Sequence, residues 1–212
     1  MEYISTRKKV PPVSFTKAVE HGLAPDGGLY IPKVLPDLKP FLNKWSSLSY
    51  IELCKAFFDE FATDIPKDEL HSIIERSYVN FDSPEIAPIR KLKDDLLVFE
   101  LFHGPTLAFK DFALQLLGNL YEYQIKASNK SIAVLGATSG DTGAAAIDAI
   151  KGKSNLNIFV LHPNNRISPV QRKLMTTVEE KNVYNIAIDG NFDDCQNIVK
   201  QMFSDLEFSK SI

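Results

Sequence analysis

From residue 96 onward, short apolar runs alternate with helical stretches, and that alternation restricts this chain more than any other feature of its sequence. Leu96 to Phe102, Ile132 to Leu135, Leu156 to Leu161 and Val183 to Ile188 read as strands. Between and after them, Asp111 to about Lys126 is apolar on most faces and Asp141 to Ile150 is alanine-rich. Phe192 to Leu206 carries Cys195, Ile198, Val199, Met202, Phe203 and Leu206 at helical spacing. Strand, helix, strand in repetition calls for right-handed crossovers and an open, mostly parallel α/β sheet. Ligands of such sheets collect beyond the carboxyl ends of the strands, so the strand-to-helix junctions are where chemistry is expected.

The earlier part of the chain has a different texture. Ser49 and Glu52 have capping-box spacing, and Tyr50, Leu53, Cys54, Phe57, Phe58 and Phe61 follow at helical intervals, predicting one buried helix face. Pro66 suits a helix start, with Leu70, Ile73 and Ile74 behind it. Ala24-Pro25-Asp26-Gly27-Gly28 reads as a turn into a strand at Leu29-Tyr30-Ile31. Asp82, Ser83, Pro84 and Pro88 interrupt the pattern, so the expected division is a mixed, helix-rich domain over 1–82 and an α/β domain over 83–212.

Composition narrows the function. With 44% hydrophobic residues the 212-residue chain can bury a core, and a formal net charge of -3 offers no overall basic field for nucleic acid or an anionic membrane. Two cysteines, Cys54 and Cys195, lack CxxC spacing, which argues against a disulfide framework or a structural zinc site and suits a reducing, cytoplasmic setting. The N-terminus lacks the layout of a signal peptide, and no apolar run approaches the roughly 20 residues of a membrane span.

Two junctions carry candidate chemistry. In His103-Gly104-Pro105-Thr106-Leu107-Ala108-Phe109-Lys110-Asp111, a lysine precedes an apolar helix. If that helix is buried, its dipole and partial desolvation both disfavour the ammonium form, and a neutral amine is what Schiff-base chemistry requires. The competing reading is a lysine reaching to water from a helix start. In Gly136-Ala137-Thr138-Ser139-Gly140-Asp141-Thr142-Gly143, hydroxyls and glycines open a helix directly after a strand, a credible cradle for a carboxylate or phosphate. It is neither a Walker A loop nor GxGxxG, and a plain helix cap at Asp141 or Thr142 accounts for it equally well. His103 reads as a loop residue, and His21, His71 and His162 lack metal-ligand spacing, so no metal site is expected. Ser168-Pro169 and Gly190-Asn191 read as helix starts, with Gln171 and Arg172 on a helix surface and Asp193 and Asp194 repelling any anion.

Together the two junctions resemble the threonine synthase family, pyridoxal-phosphate lyases of the tryptophan-synthase-like fold type II. Tyr3-Ile4-Ser5-Thr6-Arg7 and the stretch from Gly22 to Pro32 are similar to that family's N-terminal domain, which related dehydratases and cysteine synthases generally lack. The resemblance implies that Lys110 holds pyridoxal 5'-phosphate as a Schiff base and moves protons, with Phe109 and Asp111 beside the cofactor. It implies that Thr138, Ser139, Gly140, Asp141 and Thr142 hold the carboxylate of O-phospho-L-homoserine, which becomes L-threonine and phosphate. Asp141 is the difficulty, because a carboxylate repels an anion unless it caps the helix or pairs with a cation. The family's glycine-rich cofactor-phosphate loop and the partner of the pyridine nitrogen fall after Ile212. The expectation is therefore the N-terminal part of a longer enzyme, weak or inactive alone, with its oligomeric state open. A serine or threonine dehydratase and a non-catalytic binding fragment are the alternatives.

Overall fold

The computed structural model describes residues 1–128, 130–205, 207 and 208. The chain begins with a two-stranded antiparallel sheet, β1 (Tyr3–Ser5) against β2 (Tyr30–Pro32), with α1 (Phe15–His21) between them in sequence. A short 3-10 turn (Lys39–Phe41) leads into α2 (Leu42–Trp45), then α3 (Tyr50–Phe61) and α4 (Lys67–Tyr78). The predicted capping box closes at α3: the Ser49 side chain accepts from Glu52 N, and the Glu52 carboxylate accepts from Ser49 N. The expectation of one fully buried α3 face is corrected. Tyr50, Cys54 and Phe58 pack on the core, while Leu53 and Phe57 remain 37% and 38% exposed. That apolar stripe is wider than the surface its neighbours cover.

The run predicted as a strand at Leu96 to Phe102 is shorter and pairs elsewhere. β4 (Leu96–Phe99) forms an antiparallel hairpin with β3 (Ile89–Lys93), closed by Asp94 and Asp95, and it is not part of the parallel sheet. A two-residue connection can join only antiparallel neighbours, whereas parallel ones need a long crossover. The other strands behave as the alternation predicts. β5 (Ile132–Ala137), β6 (Leu156–Pro163) and β7 (Val183–Ile188) form a parallel sheet in the order β5-β6-β7. The connecting helices are α6 (Asp141–Ile150) and α7 (Pro169–Thr176), with α5 (Asp111–Ser128) before the sheet and α8 (Phe192–Ser204) after it. Asn191 and Asp194 make a second capping box at α8, as the cap reading of that stretch requires. Leu206, placed at the end of that helix by periodicity, lies outside the described residues.

Two apolar cores form among the described residues. The first gathers Ala62, Ile65, Leu70, Ile73, Ile74 and Tyr78 from the helical part and extends to Leu116 and Leu120 of α5. The second gathers Ile147 and Ile150 of α6, Leu156, Ile158 and Val160 of β6, and Met175 of α7, and reaches Ile125 of α5. Helix α5 therefore packs on both sides, which is why its sequence is apolar on most faces. It also lies unusually close to α6: a Cβ built on Gly118 would stand 2.4 Å from the Ala149 carbonyl oxygen. Only glycine permits that approach, which lies in the middle of α5 and near the end of α6. Among the described residues no helix is long and apolar enough to cross a membrane.

Candidate functional site

Lys110 is the residue immediately before α5, and Asp141 is the first residue of α6, just beyond the carboxyl end of β5. The Lys110 Nζ donates to Asp141 Oδ2 at 3.1 Å and lies 4.2 Å from the centroid of the Phe109 ring. The lysine side chain is 30% exposed, so solvent reaches the amine, and Phe109 is itself exposed. The amine does not stand alone at the helix start: Lys110 is paired with the Asp141 carboxylate. The start of α5 repels a cation, and the carboxylate at the start of α6 offsets that repulsion.

Asp141 meets the difficulty it posed in sequence by pairing with a cation and by accepting a backbone N–H from its own first turn, with Gly140 as the N-cap. Its Oδ2 meets Lys110, and its Oδ1 accepts from the Thr142 backbone N–H at 2.9 Å. Partial burial pushes the Asp141 carboxyl up, but the hydrogen bonds from Lys110 and Thr142 outweigh it and hold the group below the usual carboxylate range.

The turn that precedes Asp141 is organised around Thr138. This threonine is buried, and its Oγ1 accepts from Gly140 N at 3.0 Å and from Gly143 N at 2.8 Å, drawing the loop into a compact arc. Gly140 has φ of +143°, a conformation open to glycine and strained for other residues. Ser139 is exposed, and among the described residues neither its hydroxyl nor that of Thr142 makes a hydrogen bond within the protein.

Asp111 has a different task from its neighbour. It is fully buried, and its carboxylate oxygens accept from Thr106 N at 2.8 Å and Thr106 Oγ1 at 2.7 Å. Burial raises its pKa despite those bonds. Both oxygens are committed to the turn over 104–110, so Asp111 braces the segment that presents Lys110. His103, at the head of the same segment, is gripped from both sides: Nδ1 lies 2.6 Å from Asp82 Oδ1 and Nε2 lies 2.8 Å from Glu100 Oε2. The other histidines have local roles or none visible. His21 meets the Tyr30 hydroxyl, His71 meets Asp59, and His162 is buried near the end of β6. Among the described residues no cluster of histidine, cysteine and carboxylate side chains could hold a metal ion.

One residue read as helix surface proves to face the turn. Gln171, in the first turn of α7, lies over Gly140 so closely that a Cβ there would stand 2.2 Å from its Oε1. The Ser168 cap and Pro169 were legible as a helix start, with the Ser168 side chain accepting from Gln171 N. Nothing local could say that this start abuts the turn after β5, since that contact depends on the order of strands in the sheet.

A partly exposed primary amine beside an aromatic ring, next to a turn with an exposed serine, is a donor set suited to an aromatic aldehyde cofactor and a small anionic substrate. Among the proteins this chain is similar to are threonine synthases. Residues 2–78 match the family model described as threonine synthase N terminus. The threonine synthase of Schizosaccharomyces pombe is 46% identical over 99% of this chain and 43% of its own length. That of Pseudomonas aeruginosa is 47% identical over 99% of this chain and 45% of its own. The crystal structure of PLP-bound threonine synthase from Brucella melitensis superposes with a TM-score of 0.93 at 43% identity, covering 99% of this chain and 46% of that one. The chain thus spans a little under half the length of the relatives it matches.

Proposed function

We propose, from the premise that this chain matches the N-terminal portion of threonine synthases, that the full-length protein converts O-phospho-L-homoserine and water to L-threonine and phosphate. The observation that carries the reading is the Lys110 amine held against Asp141 between the starts of α5 and α6. Lys110 is the residue that would hold pyridoxal 5'-phosphate, with the Phe109 ring at its side. When bound, that cofactor supplies a carbonyl for the amine and an electron-withdrawing ring that stabilises negative charge at the substrate α-carbon.

The rest falls to the chain's own side chains. The Lys110 nitrogen is the base that takes a proton at the substrate Cα and returns protons to the carbon skeleton. Thr138 folds the turn, and Ser139, Gly140, Asp141 and Thr142 lie where the substrate carboxylate is to be held. Fixing that carboxylate selects which bond at Cα is broken. Asp111 acts through Thr106 by bracing the segment that carries the lysine. In the same reading, residues 1–82 form the family's N-terminal domain and 83–212 the first part of the catalytic domain, in a cytoplasmic protein with no nucleic-acid partner.

Phosphate release from O-phospho-L-homoserine by the full-length protein tests this reading against a dehydratase acting on serine or threonine. Release is expected for the wild type and is expected to vanish in Lys110→Ala. Ammonia release from serine or threonine with no phosphate release from the phosphorylated substrate would replace this activity with the dehydratase one.

A further inference from the structure

Asp141 touches both halves of the site at once. One carboxylate oxygen faces the amine before α5 and the other takes the Thr142 N–H in the first turn of α6. Two of the neighbouring donors are already engaged inside the turn, Gly140 N and Gly143 N both on Thr138 Oγ1. A carboxylate ligand that takes the Thr142 N–H competes with the side chain of Asp141 itself. Turning that side chain aside to admit the ligand also withdraws its second oxygen from Lys110.

We infer that Asp141 is a positioning residue that couples the Lys110 amine to the anion-holding turn, standing in for a carboxylate ligand while the turn is empty. The inference rests on the functional reading above and adds to it an order of events. Engagement of a carboxylate at the turn frees the amine to react, and capture of the amine frees the turn. Linkage makes the two effects equal in binding free energy. Both halves lie within hydrogen-bond reach of the one side chain, at 3.1 Å and 2.9 Å.

The test reads the chemistry of the amine and not turnover. The 212-residue chain is treated with formaldehyde and cyanoborohydride, and methylation of Lys110 is followed by peptide mass against exposed Lys173. In each round the amine nitrogen adds to the formaldehyde carbon, water leaves, and hydride from the reductant completes the N–CH3 bond. For a partly exposed ion pair, Asp141→Asn should speed Lys110 methylation about two- to five-fold. Propionate, at ionic strength matched with chloride, should speed it in the wild type and leave the variant unchanged.

Equal rates in the two proteins, or no propionate effect in the wild type, would overturn the coupling, and the wild-type comparison decides even if the variant does not fold. A parallel labelling with pyridoxal 5'-phosphate and borohydride examines the underlying reading separately. If Lys110 is not labelled ahead of Lys173, the cofactor assignment fails whatever the methylation rates show.

Discussion

At the scale of single residues, the segment that presents Lys110 is held by groups whose chemistry the sequence names and whose partners it conceals. His103 is legible as a histidine before Gly-Pro, but Asp82 and Glu100 reach it only because the hairpin folds back, with Asp82 N donating to the His103 carbonyl at 2.9 Å. Asp111 is legible as the residue after the lysine, yet whether its carboxylate turns outward to a ligand or inward to Thr106 depends on the burial of the whole turn. The histidine has a pH signature. The hydrogen bond to Glu100 and then that to Asp82 raise its pKa above the ordinary 6.5. A raised folded-state pKa means that its contribution to stability is fully present below the unfolded-state value and is lost as pH climbs through the folded one. As pH rises above 6.5, the urea midpoint of the wild type should therefore fall more than that of His103→Gln. Parallel curves for the two proteins would show that the grip on His103 does not contribute.

At the scale of elements, periodicity located most helices and strands because side-chain burial repeats with backbone geometry. α6 and β7 fall on their predicted residues, and the caps at Ser49, Ser168 and Asn191 all close. β3 escaped notice because Ile89-Arg90-Lys91-Leu92-Lys93 is exposed along its length and carries no buried alternation. Its partner β4 is legible as a strand but not as a member of a separate hairpin, since an apolar run does not state its neighbour. The contact between α5 and α6 was equally hidden: Gly118 within a helical pattern signals close approach without naming what approaches. Gly118→Ala places a methyl against the Ala149 carbonyl, and overpacking of this kind costs about 1–3 kcal/mol. Denaturant unfolding should register a loss in that range, although alanine is the better helix former. A gain in stability would mean that the helices part freely.

For the whole molecule, the decisive element is α5, because it belongs to both cores. Leu116 and Leu120 close the helical core, Ile125 enters the sheet core, and Gln124 Nε2 donates to the Thr16 carbonyl of the first helix at 2.7 Å. A change of texture near Asp82 to Pro88 was visible in sequence, and so was a helix apolar on most faces. Their joint meaning was not, because a two-sided helix has no periodicity to say which side meets which partner. The lysine turn at the head of α5 thus stands on a helix anchored twice, and its position against Asp141 depends on both anchors. Leu120→Ala removes a buried side chain from the helical core alone and should cost about 2–5 kcal/mol. If α5 joins the two cores into one cooperative unit, amide exchange in β6 should quicken along with that in α4, although Leu120 is not among the residues of the sheet core. Ile74→Ala, also in the helical core, should act in the same way. If exchange in β6 is unchanged while α4 loses protection, the cores open independently and the second anchor suffices to hold the site.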